Sequence, residues 1–242
     1  MSEKSLTDPE KIQALSARFA DVKERIRLAA GDRKITLVGA TKTVDAETVN
    51  YAAENLGLRD IGENKVQELL SKYDRLRRDL LNIHFIGRLQ TNKVKYIIDK
   101  VCLIHSVDSL SLAREIDRQA SKHSLKMNIL AEINIASEPS KGGVSPGDAV
   151  EFARSLCEFE NLSLVGVMSV PPKAATKDEL FEHFTKTGRI LDDMMSCGYI
   201  ATDEPILSMG MSDSFEIAIE CGANTVRIGS ALFGKRVYQN TV

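Results

Sequence analysis

Hydrophobic positions along the chain alternate between two periods. Ile12, Leu15, Phe19, Val22 and Ile26 recur at three- and four-residue steps behind Asp8 and Pro9, which predicts an amphipathic helix that Gly31 ends. Ile35 to Lys42, ITLVGATK, has no such period: Ile35, Leu37, Val38 and Ala40 form a short apolar run, the pattern of a parallel strand buried on both faces. Further strands are predicted at Arg59 to Ile61, Ile83 to Ile86, Val101 to His105, Met127 to Ile135, Leu162 to Met168, Pro205 to Leu207 and Thr225 to Ile228. Helical stretches separate them. Asp45 caps one that Gly57 ends, Val66 to Leu76 forms a second, and a third runs through Ile98. Asp108 is expected to cap the next, and Ser145, Pro146 and Asp148 give a capping-box start. Leu180, Phe184, Ile190, Leu191 and Met194 mark a long helix, and another runs to Cys221.

Eight strands with helices between them predict an α/β fold, a single (β/α)8 TIM barrel with an extra N-terminal helix and one domain over residues 1–242. The alternative is an open doubly wound sheet, which would have fewer strands and a Gly-rich first turn that is absent here.

Composition narrows the function classes. The formal net charge is -2, from 32 basic and 34 acidic residues, and aromatics make up 5% with no tryptophan. Neither a nucleic-acid surface nor an anionic-membrane surface is expected from that balance. The polar start MSEKSLTDPE and the lack of an apolar stretch of about 18 residues point to a cytoplasmic protein. Cys102, Cys157, Cys197 and Cys221 lack metal-site spacing, so neither zinc nor a disulfide framework is expected.

In a barrel the residues just past each strand converge on one face. That places Lys42, Glu63 with Asn64, Gly87, Ser106, Asn134, Ser169, Ser208, and Arg227 with Gly229 around one mouth. Lys42 is then either a solvated loop residue or an amine in a low-dielectric mouth, where its pKa falls and it becomes nucleophilic. SMGMSDSFE sets Ser208, Gly210 and Ser212 at two-residue steps, and RIGSALFG adds Gly229 and Ser230. These read either as ordinary turn residues or as a phosphate cup of the kind barrels build after strands seven and eight. GSALFGKR also approaches a nucleotide P-loop, but Arg236 stands where that motif needs Ser or Thr. An amine facing a phosphate cup suits a phosphorylated aldehyde, and pyridoxal 5'-phosphate is the natural candidate. Arg227, a permanent cation near the pyridine nitrogen, would disfavour ring protonation and weaken the electron sink. The competing reading of Arg227 is a salt bridge at the mouth, with Glu63 as partner.

Across almost its whole length the chain resembles the YggS/PROSC family of pyridoxal-phosphate-binding proteins, the pyridoxal phosphate homeostasis proteins. The resemblance is carried by ATKT, IGENKVQE, HFIGRLQTNK, INIASEPSKGG, LVGVMSVPP, LSMGMSDSFEIAI and VRIGSALFGKR. It implies a single-domain barrel similar to the amino-terminal domain of bacterial alanine racemases. It also implies that Lys42 carries a Schiff base, Arg227 faces the pyridine nitrogen, Ser208, Gly229 and Ser230 hold the phosphate, and Asn64 borders the cofactor. Lys141 matches a loop lysine of the family and is expected to be solvent-exposed. The chain departs from the family pattern at Val44, Lys65 and Arg88, where further lysine, tyrosine and proline are frequent.

Two functions follow from the resemblance. One is a binding protein that holds, buffers and hands on pyridoxal phosphate to apo-enzymes. The other is an amino-acid racemase using the same imine. Racemisation needs proton-transfer groups on both faces of the α-carbon. With no second domain expected, and Tyr51, Tyr73, Tyr96, Tyr199 and Tyr238 placed away from the strand ends, binding is favoured. A monomer is the expected state.

Overall fold

The computed structural model describes residues 8–136, 138, 142–172 and 175–234. Among them, eight parallel strands close into a barrel in sequence order: β1 (Thr36–Ala40), β2 (Asp60–Glu63), β3 (Asn82–Phe85), β4 (Leu103–Val107), β5 (Met127–Ile133), β6 (Leu162–Ser169), β7 (Ile206–Ser208) and β8 (Thr225–Ile228). The helices are α1 (Pro9–Ala30), α2 (Ala46–Asn55), α3 (Val66–Lys72), α4 (Leu110–Lys122), α5 (Ala149–Leu156), α6 (Lys177–Ser196), α7 (Phe215–Glu220) and α8 (Ser230–Phe233). The expected (β/α)8 barrel with an added N-terminal helix is therefore the fold.

The added helix α1 starts on Asp8, whose carboxylate accepts from Glu10 N, with Pro9 in the first turn. It packs where the barrel closes. Phe19 meets Phe233 edge-on at 5.7 Å, Arg18 Nε donates to Leu232 O at 2.9 Å, and Arg25 lies 4.7 Å above the Phe215 ring while pairing with Glu216. Closure itself comes from β1 pairing with both β2 and β8, with Val38 in register with Asp60 on one side and Arg227 on the other. Gly166 is needed between β6 and β7: a Cβ there would lie 2.0 Å from the Ile206 carbonyl oxygen, and its φ is +155°.

Local expectations are corrected at four places. The segment after β3 is a 3-10 helix, Thr91–Tyr96, and the Val66 helix tightens into a 3-10 turn at Tyr73–Arg75. Ser109, not Asp108, caps α4, its hydroxyl accepting from Leu112 N. Ser145 and Asp148 do bond reciprocally, but as a turn ahead of α5, whose N-cap Asp148 makes no side-chain cap bond. The fourth strand also begins two residues later than its apolar run suggested, because Cys102 N pairs with Ile83 O before the strand is entered. His105 thereby sits in the middle of β4 rather than at its end. No helix of the described residues is long and apolar enough to cross a membrane.

Candidate functional site

Strand alternation decides which residues enter the barrel mouth. Successive side chains point to opposite faces, and Val38 shares a row with Arg227, so Val38 and Ala40 lie on the interior side, and Lys42 follows two residues past the strand's end. A Cβ on Gly229 would sit 3.3 Å from Ala40 O and 3.4 Å from Ala40 Cβ, so the backbone after β8 lies against the strand that delivers Lys42. Lys42 is half-buried.

The backbone around Lys42 is clamped on both sides. Lys72, 3% exposed, donates from Nζ to Thr41 O at 2.8 Å and Val44 O at 3.1 Å, and pairs with Glu63 Oε1 at 2.6 Å. The Thr41 hydroxyl donates to the same Glu63 oxygen, and the second oxygen, Oε2, has no hydrogen-bond partner among the described residues. Burial pushes the Glu63 carboxyl up, against the pull of Lys72 and Thr41. Thr43 has a φ of +65°, rare for a β-branched residue, with its N–H held by the Glu68 carboxylate. Lys72 was missed by sequence reasoning. The signal was a lysine three residues after Leu69, on the apolar side of α3.

The last two loops form the cup. Ser212 Oγ accepts from Gly229 N at 3.3 Å and from Ala231 N at 3.2 Å, which marks a point where two backbone amides converge on an oxygen. Gly229 is half-buried and Ser230 exposed. Ser208 stands apart from them. Its hydroxyl, wholly buried, accepts from Arg227 Nη1 at 2.6 Å and lies 3.1 Å from His105 Nδ1. The expectation that Ser208 faces a phosphate therefore meets a prior commitment inside the barrel. Of the three serines at the end of the seventh strand unit and in its loop, Ser212 reaches the amides.

Arg227, 5% exposed, also donates from Nη2 to Ser169 O at 2.9 Å. Its pKa falls to about 10 through burial, with Glu132 pulling the other way. The salt bridge with Glu63 is not formed, because Glu63 is taken by Lys72. Glu132 on β5 is pushed up to about 7, first by burial and then by Asp108, against Arg227 and Arg88. Asn64, next to the end of β2, keeps its Oδ1 buried and without a partner. An acceptor left unsatisfied in this way costs stability unless a ligand donor meets it. Asn64 also lines a polar cleft of about 900 Å³ beside the mouth, with Lys65, Arg88, Lys93 and Asp108.

Other expected mouth residues have structural tasks. Ser106 donates to Gly87 O at 2.6 Å, Ser169 Oγ accepts from Thr187 Oγ1 at 3.0 Å, and Asn134 Nδ2 donates to Glu138 O at 2.9 Å. Lys141, Arg236 and Tyr238 lie outside the described residues. Among the described residues no cluster of three or more His, Cys, Asp or Glu could hold a metal ion.

The comparisons with known proteins give the family and the fold. The family model described as alanine racemase, N-terminal domain, matches residues 11–237. The pyridoxal phosphate homeostasis protein of Aquifex aeolicus (strain VF5) is 43% identical over 226 residues, covering 91% of this chain and 98% of its own. Among solved structures, an unknown protein from Bifidobacterium adolescentis superposes with a TM-score of 0.89 at 30% identity, covering 95% of this chain and 98% of its own. PipY of Synechococcus elongatus PCC7942, solved with PLP bound, superposes with a TM-score of 0.80 at 26% identity, covering 91% and 100%. With matches of this extent, the chain belongs to the alanine racemase N-terminal domain family and, within it, to the pyridoxal phosphate homeostasis proteins.

Proposed function

We propose that this chain binds pyridoxal 5'-phosphate as a Schiff base on Lys42 and serves as a carrier and buffer of the cofactor, handing it to apo-enzymes, rather than turning over amino acids. The observation that carries the reading is the adjacency of β1 and β8. It sets the buried Arg227 and the Gly229 backbone against β1, the strand whose end leads into Lys42, and this supports the reading. The residues fit the group. Two amides and the Ser212 hydroxyl converge on one point, lining a cup that suits a phosphate, and Asn64 offers an unsatisfied acceptor.

When bound, the cofactor would supply a reactive aldehyde, and Lys42 would supply the amine that meets it. Each protein group then has one task. Lys72, Glu63 and Glu68 fix the backbone on either side of Lys42, so its amine enters the mouth from a set direction. Gly229, Ser230 and Ser212 hold the phosphate end. Ser208 holds Arg227, whose guanidinium stays charged at neutral pH even with its pKa lowered, and so keeps a proton off the pyridine nitrogen. Suppressing the electron sink suits storage better than turnover.

The placement of the tyrosines supports the same reading. Tyr51, Tyr73 and Tyr199 pack against the outer core, and Tyr96 is exposed on its 3-10 helix beside Lys93 and Lys95. One observation favours the second reading, amino-acid turnover: Glu132 has a carboxyl near neutrality close to Arg227, and such a group can take up a proton.

The visible absorption spectrum of the purified protein, before and after borohydride, tests the binding reading. An imine band that reduction bleaches is expected, and a spectrum blank above the protein region after incubation with pyridoxal phosphate contradicts it. Incubation of the loaded protein with single L-amino acids in deuterated water tests the enzyme reading. No α-deuterium incorporation is expected; incorporation that disappears in Lys42→Ala or Glu132→Gln would establish turnover.

A further inference from the structure

A buried polar chain crosses the barrel interior from β2 to β8. Asp60 Oδ1 is 3.1 Å from His84 Nε2, His84 Nδ1 is 2.9 Å from His105 Nε2, His105 Nδ1 is 3.1 Å from Ser208 Oγ, and Ser208 Oγ is 2.6 Å from Arg227 Nη1. His84 is 6% exposed, and His105 and Ser208 are wholly buried. Barrel interiors are ordinarily filled by branched aliphatic side chains. Five polar groups joined by four links are costly in that space unless every link is made, and here every link is made.

The chain has a direction. The Asp60 carboxylate only accepts, from His84 and from Asn82 Nδ2 at 3.0 Å, and the Arg227 guanidinium only donates. Between these two ends the distances fit two proton arrangements. In one, His84 carries an extra proton, donates to His105, and leaves the Nδ1–H of His105 to donate to Ser208. In the other, His84 is neutral, and Ser208 donates to His105, which donates to His84. Burial opposes protonation of His84, but bonding to Asp60 and Cys102 raises it to about 9. His105 is held well below the usual range by burial, then by the charges of His84 and Arg227. The first arrangement is therefore the one at neutral pH. Among the described residues, the Arg227 guanidinium has only Ser208 and the Ser169 carbonyl as hydrogen-bond partners, so half of its anchoring runs through this chain.

We propose that His105 is a positioning residue, acting through Ser208 to fix the face Arg227 presents to a ligand in the mouth, with Asp60 and His84 setting the His105 tautomer from the opposite rim of the barrel. The inference rests on the cofactor reading only for the identity of that ligand. The chain itself is tested in the cofactor-free protein.

Two isosteric variants separate positioning from packing. An asparagine amide superposes on the Nδ1 position of histidine and a glutamine amide on the Nε2 position, so His105→Asn keeps the contact with Ser208 and His105→Gln keeps only the contact with His84. In the cofactor-free protein at pH 7, nitrogen-15 NMR should show His84 doubly protonated and His105 protonated at Nδ1. Slowly exchanging Arg227 guanidinium protons should be present in wild type and His105→Asn but exchange at least ten-fold faster in His105→Gln. In the loaded protein, His105→Gln should shift the visible absorption maximum and raise the Kd for pyridoxal phosphate about ten-fold, with His105→Asn within about two-fold of wild type. If His105→Gln does not fold, His84→Gln, which keeps the atom facing Asp60 and drops the one facing His105, should give a mixed His105 tautomer and the same faster exchange. Equal Arg227 protection in all folded variants, or losses that track melting temperature alone, overturns the proposal. A wild-type protein that shows the expected tautomers but takes up no cofactor upholds the chain and overturns the cofactor reading instead.

Discussion

The two layers of the barrel are built on opposite terms. Between sheet and helices, the core is a continuous apolar cluster running from Leu15 and Phe19 on α1 to Ile228 and Leu232 at the last strand and helix. Inside the barrel, the buried apolar cluster shrinks to Leu103, Leu130, Val165 and Met168 on one side, while Asp60, His84, His105, Ser208 and Arg227 fill the other. The outer layer is stabilised by area removed from water, which tolerates many residue choices. The inner layer depends on directed bonds among a few groups, each costly to leave unpaired. Stability is concentrated in the outer layer and the orientation of functional groups in the inner one.

The largest effect should come from cutting an inner clamp. Lys72→Met leaves the buried Glu63 carboxyl without its cation, and loss of one partner of a buried pair costs about 3 to 5 kcal/mol. The folded carboxyl already has a raised pKa, so the folded state binds the proton more tightly than the unfolded chain, and stability must fall as pH rises through that range. Urea unfolding of Lys72→Met should therefore show a deficit at pH 7 that narrows as pH is lowered. A deficit independent of pH would mean that packing, not charge, was lost.

Truncation of the outer layer gives the matching control. Phe184→Ala, at a wholly buried α6 position, should cost about 3 to 5 kcal/mol in the same assay with no change of slope with pH. The folded fraction should retain cofactor normally. A large loss of cofactor affinity in folded Phe184→Ala would break the division of labour between the layers.

The cup should respond more weakly and only in binding. Ser212→Ala removes a hydroxyl held by two amides, and loss of such bonding to a phosphate is worth about 1 to 3 kcal/mol, so a Kd about ten-fold higher is expected by fluorescence titration. Melting temperature should be unchanged. Ser208→Ala should instead alter the cofactor spectrum through Arg227, which distinguishes the two serines.

The smallest effect has the opposite sign. Thr43→Gly relieves a left-handed β-branched residue and should raise stability by up to about 1 kcal/mol, measured by thermal unfolding, while loosening the backbone beside Lys42. No gain would mean that the Glu68 bond fully offsets the strain.

The same division explains what the sequence could tell. Helix periods such as Ile12 to Ile26 and apolar strands such as Ile35 to Ala40 reveal the outer layer, since burial there repeats every three to four residues or runs continuously. The approach of the Gly229 backbone to β1 was legible as well, because strand ends in a barrel share one face. The inner chain was not. His105 and Ser208 are 103 residues apart, and His105 seemed to end a strand that actually starts at Leu103. The two-residue offset in β4 leaves His105 on the same face, so what the sequence lacked was the partner: nothing in it sets His105 opposite Ser208 across the barrel. Ser212 and Ser208 have equal standing in SMGMS, and only the backbone amides of the next loop separate them.

The most direct test is the position of the covalent adduct. Protein loaded with pyridoxal phosphate, reduced with borohydride and digested should yield one modified peptide, with the mass increment on Lys42. Recovery of the increment on another lysine, with Lys42 unmodified, would contradict the assignment of the mouth and of every residue arranged around it.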